Sequence, residues 1–396
     1  LLLPILTVAG PAPVDIGAIL IAVLFLVRSA LTGDWQWLRA RWVQLLLVLW
    51  ASMVLRNLPL DASATARAAG WLRYPVFAAA LAFWALQNAL TRHWLGRTLL
   101  AAVIFLVGDT LLQYASGTDL FGRPALLHEG ALRMSGPFSA PRVGITIVWL
   151  LFPALLACLA AAAPRARAFG FLLALAAAAA VLGSGERTAL ILLLFGFAAS
   201  FALLPRARLL LLIAAMLGAA GGWGMMQLNP TLHARQVGKM QQEVGGFAGS
   251  VYGRTWLAGA AITRDHLLFG VGSKQFQPTC QQPRYGATDE SSLRNRCPMH
   301  PHNMYVEWAV EYGLIGLALW LATCLSWLAL AWRARAQWWR APVATGLLIA
   351  VAIKLFPIAV VPSQFVAWSA TPLWLMAGWL LALLSTTRDN TLDARP

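Results

Sequence analysis

Charge is what this sequence has least of. Only 11% of its 396 residues are Asp, Glu, Lys or Arg, against about a quarter in an average soluble domain. A water-exposed surface of ordinary size cannot be covered with so few, which excludes a soluble globular protein. Acidic residues are scarcer still: 15 Asp and Glu stand against 30 Lys and Arg, a formal net charge of +15. No aspartate triplet that would hold a metal and a nucleotide sugar is present, and hard cations need clustered carboxylates. Gly270-Val-Gly272 lacks the third glycine and the preceding strand of a dinucleotide site, and there is no phosphate-loop lysine motif. Runs such as 172–181 and 209–220 lack any apolar/polar alternation, which excludes the strands of a membrane barrel.

What the sequence has in quantity is apolar residues, 60% of the total, for a mean hydropathy of +0.68. They fall in repeated runs that match the hydrocarbon thickness of a bilayer, about 17–25 residues for a helix. About twelve spans can be placed, at 1–10, 16–27, 42–55, 69–90, 95–114, 144–162, 169–182, 188–204, 208–225, 314–332, 343–361 and 371–384. The fold class is therefore an all-α integral membrane protein. Residues 1–224 carry nine helices, 225–303 form a long polar segment, and 304–396 carry three more helices and a tail. The chain opens on Leu1 without an initiator Met and its first run is too short to cross, so further residues are expected before it.

In a soluble protein the positive charge would suggest nucleic acid; here the basic residues are scattered through short loops, and no nucleic acid is expected. Arg28, Arg39 and Arg41, then Arg92 and Arg97, Arg165 and Arg167, Arg206 and Arg208, Arg333 and Arg335, and finally Arg388 all fall on one side of a twelve-span count. By the positive-inside bias that side faces the cytoplasm. The segments 57–68, 115–142, 183–187, 225–303 and 362–370 then lie outside. Basic residues there, including Arg123, Arg133, Arg142, Arg187 and Arg254, oppose the topogenic bias. An anionic ligand gives them a reason to exist.

The 225–303 segment is the one long polar interval. It contains Cys280 and Cys297, expected to be bridged in an oxidising compartment, where so short a loop adds about 3 kcal/mol. A zinc site from these cysteines with His300 and His302 lacks the close cysteine spacing of structural zinc motifs, and no metal is expected.

Three stretches remain as candidate chemistry. Gly183-Ser-Gly-Glu-Arg-Thr-Ala189 breaks two apolar runs and puts Arg187 at the start of a helix, a ready anion site; the alternative is an interfacial arginine snorkelling to headgroups. Tyr252-Gly-Arg254-Thr-Trp256, with Leu268-Phe-Gly-Val-Gly272 downstream, predicts a short amphipathic helix ending in a glycine turn. His300-Pro-His302-Asn303 precedes a helix for which Asn303 is a good cap, with Glu307 and Glu311 on one stripe. A histidine near a cap is more often structural, but at a water interface rich in arginine its near-neutral pKa suits proton transfer.

Together the Ser-Gly-Glu-Arg-Thr-Ala, Gly-Arg-Thr-Trp and His-Asn-Met-Tyr-Val-Glu-Trp-Ala-Val-Glu-Tyr-Gly-Leu-Ile-Gly stretches resemble the O-antigen ligase and polymerase superfamily. The resemblance implies a GT-C-like glycosyltransferase in the bacterial inner membrane, with a large periplasmic loop carrying the active site. It implies transfer of O-antigen from undecaprenyl pyrophosphate to lipid A-core oligosaccharide, with inversion, in lipopolysaccharide assembly and without a cofactor. Arg187, Arg254 and His302 carry over as the functional trio, while Arg142, Arg264 and His300 are further candidates for binding pyrophosphate or substrate. An O-antigen polymerase or a protein O-oligosaccharyltransferase uses the same type of donor and remains the nearest alternative. In another class, a transporter or flippase of lipid-linked glycan would use mid-membrane ionisable groups, for which Asp109 and Lys354 are the candidates.

Overall fold

The computed structural model describes residues 1–128, 131–238, 240–241, 245–285, 296–338 and 341–392. Each apolar run contributes to a helix. Among the described residues, six helices are long and apolar enough to cross a membrane: Pro11–Thr32, Ala89–Ser116, Pro164–Gly183, Pro205–Leu228, Met304–Arg333 and Ala367–Ser385. Three shorter apolar helices, Val143–Leu159, Arg187–Leu203 and Pro342–Lys354, accompany them. The protein is thus a largely helical multi-pass membrane protein, and among the described residues six helices, against the twelve spans expected, meet the length and apolarity of a full span. A two-stranded hairpin, Leu126–His128 with Ala131–Arg133, adds a small β element to the expected all-α fold.

Small residues set the helix spacing. At Gly346 a side chain would stand 2.5 Å from the Pro153 Cα, so Pro342–Lys354 and the buried Val143–Leu159 touch backbone to backbone, the close approach typical of membrane helices. Elsewhere tryptophan fills the core. Trp308 stacks on Trp320 at 5.4 Å and meets Trp71 edge-on at 5.7 Å, and Trp374 in turn contacts Trp71, Trp320 and Trp327. Such pairs contribute about 0.5–1.5 kcal/mol each beyond burial.

Two apolar runs fold differently from expectation. The 69–90 run is divided into Ala62–Gly70, Arg73–Ala80 and a π-turn, Leu81–Ala85. The 343–361 run stops being helical at Lys354, because Pro357 lacks the N–H a helix interior needs. The freed segment is pinned instead to the loop before Met304. Asn303 Nδ2 donates to the Pro357 carbonyl (2.8 Å), Val361 N to that of His302 (2.8 Å), and the Tyr305 hydroxyl to that of Leu355 (2.6 Å).

The Met304–Arg333 helix is itself broken at Gly313, whose φ of 66° is left-handed. Residues 267–272 fill the break. Val271 N and Gly272 N donate to the carbonyls of Val310 and Glu311 (2.9 and 2.8 Å), while Leu314 N and Ile315 N donate to those of Leu267 and Leu268 (2.8 and 3.3 Å). Gly270 and Gly272 therefore serve this docking. The N-terminal half of the helix closes over a second, small core of Ala258, Ile262, Phe276, Tyr285 and Val310, sealed by the Cys280–Cys297 disulfide. Glu307 and Glu311, expected on one acidic stripe of the helix, are buried clamps that accept from Gln364 N (3.1 Å) and Lys274 N (2.9 Å).

Asp109 and Lys354 have separate partners. The carboxylate accepts from Leu120 N at 2.7 Å; the ammonium donates to the Ser369 carbonyl at 2.6 Å and lies 3.4 Å from the Trp149 ring centroid.

Gly313→Ala puts a Cβ against the Leu268 carbonyl in a left-handed backbone, and is expected to cost roughly 2–5 kcal/mol from strain and overpacking. Gly108→Ala, with nothing near its added Cβ, should leave stability nearly unchanged. Thermal unfolding of both variants in detergent checks the contrast, and equal melting temperatures would refute it.

Candidate active site

A cavity of about 530 Å³ gathers residues from four of the segments expected to lie outside, together with the freed 355–362 stretch. Its polar lining is Arg133, Arg142, Glu186, Arg187, Thr188, Arg235, Tyr252 and His302. Each is positioned by a local device.

Arg133 ends the second hairpin strand. The loop that follows is held by Gln113, whose Oε1 accepts from Ser135 N and Gly136 N, both at 2.9 Å. Arg142 precedes the Val143–Leu159 helix and is gripped between two aromatic faces, its Cζ 4.8 Å from the Phe138 centroid and 4.6 Å from that of Trp368. Cation–π contact fixes the guanidinium plane while leaving its edge for a ligand. Burial lowers its pKa, yet an arginine remains charged at neutral pH.

Arg187 opens its helix after a tight Ser-Gly turn. Ser184 Oγ donates to the Val181 carbonyl at 2.7 Å and accepts from Glu186 N at 3.3 Å. Glu186 turns its carboxylate away from its own helix and caps the neighbouring one, accepting from Gly144 N at 2.7 Å and Ile145 N at 3.2 Å. Burial raises its pKa to about 7, although these two N–H groups and Arg133 favour the charged form. Arg235 is buried and donates Nε to the Gly185 carbonyl at 2.8 Å, tying the 225–303 segment to the turn.

His302 stands at φ 56°, an uncommon conformation for a residue with a side chain. Its ring packs on His300 at 4.3 Å and meets the edge of Tyr252 at 5.9 Å. Burial lowers the pKa of His302; burial and then His302 push that of His300 down to about 3. Both imidazoles are neutral at pH 7, so His302 can accept a proton. His300 Nε2 has no hydrogen-bond partner among the described residues.

The cavity thus brings together Arg187, His302 and Arg142. Arg254 is two residues from Tyr252 on the Val251–Asp265 helix, but its side chain is exposed and outside the lining. Arg264 is exposed at the far end of that helix, about 18 Å along its axis at 1.5 Å per residue. His300 reaches the site only through its contact with His302. Sequence reasoning passed over Arg235, Glu186 and Tyr252 as site residues. Glu186 and Tyr252 lay inside the quoted motifs, Arg133 among the arginines that oppose the topogenic bias, and Arg235 in no pattern.

The remaining walls are apolar. Ile191 and Ile358 line the cavity while 45% and 69% exposed, so that side opens to the surroundings of the helices.

Residues 171–321 match the model of the O-antigen ligase family. The region resembling O-antigen ligases in its motifs is therefore O-antigen ligase-type, within the superfamily of glycan ligases and polymerases. The match takes in Arg187, Arg235, Tyr252, Arg254 and His302, and leaves Arg133, Arg142 and Trp368 outside it. No curated protein matches the chain.

A neutral His302 predicts where activity falls at low pH. Because its pKa is lowered, the proton-accepting form persists below the ordinary histidine value of about 6.5. The acid limb of a kcat/KM profile should lie below that pH, in Glu186→Gln as in the parent chain. A limb centred above it in both would contradict the assignment.

Proposed function

We propose that the chain is an O-antigen ligase. It transfers a glycan from undecaprenyl pyrophosphate to a sugar hydroxyl of lipid A-core oligosaccharide, at the periplasmic face of the bacterial inner membrane. The cavity carries this function: four arginines and a neutral histidine face one space whose other walls suit a lipid.

As the anomeric carbon–oxygen bond breaks, its electron pair passes to the pyrophosphate, which gains negative charge. Cations already fixed there stabilise the transition state more than the ground state. Arg187 and Arg142 line that space, and a guanidinium group can pair bidentately with phosphate oxygens; Arg133 and Arg235 add to the field. The acceptor oxygen attacks the opposite face of the carbon, inverting it, and its proton passes to His302. His300 braces that imidazole from behind. Glu186 acts as a strut, holding the Val143–Leu159 helix against the turn that carries Arg187. Arg254, exposed on the outer helix, serves as a rim cation on the donor's approach.

Purified protein reconstituted with lipid-pyrophosphate-linked glycan and lipid A-core should yield ligated product. Arg187→Ala should lower the rate about 10²–10³-fold, with poor recovery in Arg187→Lys, which loses the planar fork. His302→Ala should lower it about 10²–10⁴-fold. Parental rates in Arg187→Ala would sink the assignment. Glycan chains that lengthen when core is withheld would instead identify a polymerase.

A further inference from the structure

The transfer chemistry above uses the cationic and aliphatic walls of the cavity but not its aromatic one. Phe247 and Tyr252, both from the outer segment, line the same space. Phe247 is 41% exposed there and is backed edge-on by Trp256, with ring centroids 5.1 Å apart. Tyr252 stands against His302 itself.

The main chain that carries this exposed ring is fixed at Phe247. Its carbonyl accepts from Ser250 N (3.0 Å) and Ser250 Oγ (2.7 Å), while the same Oγ accepts from Gly253 N at 3.0 Å and caps the Val251–Asp265 helix. A side chain at Gly253 would overlap the Phe247 carbonyl and come within 2.9 Å of the Ala248 Cα. The absence of a Cβ at Gly253 is what lets the Phe247 turn seat on the helix.

We propose that Phe247 and Tyr252 form the binding platform for the acceptor sugar ring, an inference that rests on the ligase function proposed above. The C–H face of a pyranose carries partial positive charge and packs on the negative face of an aromatic ring. Its hydroxyls then project from the edges. A sugar laid on this wall keeps a hydroxyl free for His302, the neighbour of Tyr252. The three walls divide the substrates by chemistry: arginines take the pyrophosphate, Ile191 and Ile358 face the lipid, and the aromatic pair takes an uncharged ring. The sugar on this wall is the acceptor's, because the group beside it is the one that receives the acceptor's proton.

The test varies donor and acceptor separately in the reconstituted full chain. In parallel, core oligosaccharide freed of lipid A is titrated onto the protein without donor, by calorimetry. Phe247→Ala should raise the acceptor KM about tenfold, the scale of one good aromatic contact, and weaken oligosaccharide binding to match, with the donor KM unchanged. Phe247→Tyr should stay near the parent chain. Phe247→Leu, which restores apolar bulk but no flat face, should behave like the alanine variant. Rescue by leucine, an equal rise in donor KM, or an unchanged acceptor KM in Phe247→Ala would overturn the platform alone. A parent chain that neither transfers glycan nor binds the oligosaccharide would overturn the ligase function itself, and the platform with it.

Discussion

Four main-chain hydrogen bonds across the break at Gly313 decide where His302 stands. A helix interrupted inside a membrane protein leaves carbonyl and N–H groups that water cannot reach, and such groups must be paired internally. Here the 267–272 segment pairs them, and both chains pass each other at glycines, Gly270 and Gly313, because neither crossing leaves room for a Cβ. The N-terminal half of the helix is thereby set off from the C-terminal half, carrying the Asn303 cap and the histidine before it. The docking is reinforced from the start of the chain. Arg56 Nε donates to the Gly270 carbonyl at 2.9 Å, and Asn57 Oδ1 accepts from Ser273 N at 2.9 Å.

Around the cavity the energetics run the other way. Guanidinium groups gathered at one space repel each other, and burying charge is costly without compensation. Local contacts offset part of that cost: two aromatic faces for Arg142, a turn carbonyl for Arg235, and Glu186 nearby. Glu186 is a limited counter-ion, since burial holds its pKa close to neutrality. Under the proposed function, an incoming pyrophosphate brings further negative charge to these guanidinium groups.

Much of this was legible in the sequence, for identifiable reasons. Long apolar runs with arginine-bearing loops announce membrane helices, and the Gly-Ser-Gly and His-Pro-His-Asn stretches mark two corners of the cavity because breaks and caps have local signatures. The end of the helix at Lys354 was also open to reading through Pro357, but an apolar run conceals a proline when only hydropathy is followed. Arg235 and the clamping roles of Glu307 and Glu311 were not legible. Their partners, Gly185, Gln364 and Lys274, lie 50, 57 and 37 residues away, and no local pattern encodes such a meeting. Arg254 shows the converse: a conspicuous motif fixes the helix that bears it without turning its side chain inward.

The exposed faces of Ile191 and Ile358 bear on how substrate arrives. Under the proposed function, a cavity open on that side meets a polyprenyl chain without the chain leaving the bilayer. The quantity that sets occupancy is then the number of donor molecules per unit area of membrane, with encounters made by diffusion in two dimensions. Diluting the same donor into more lipid would slow the protein as surely as removing donor, while changing the volume of the aqueous phase would leave it indifferent.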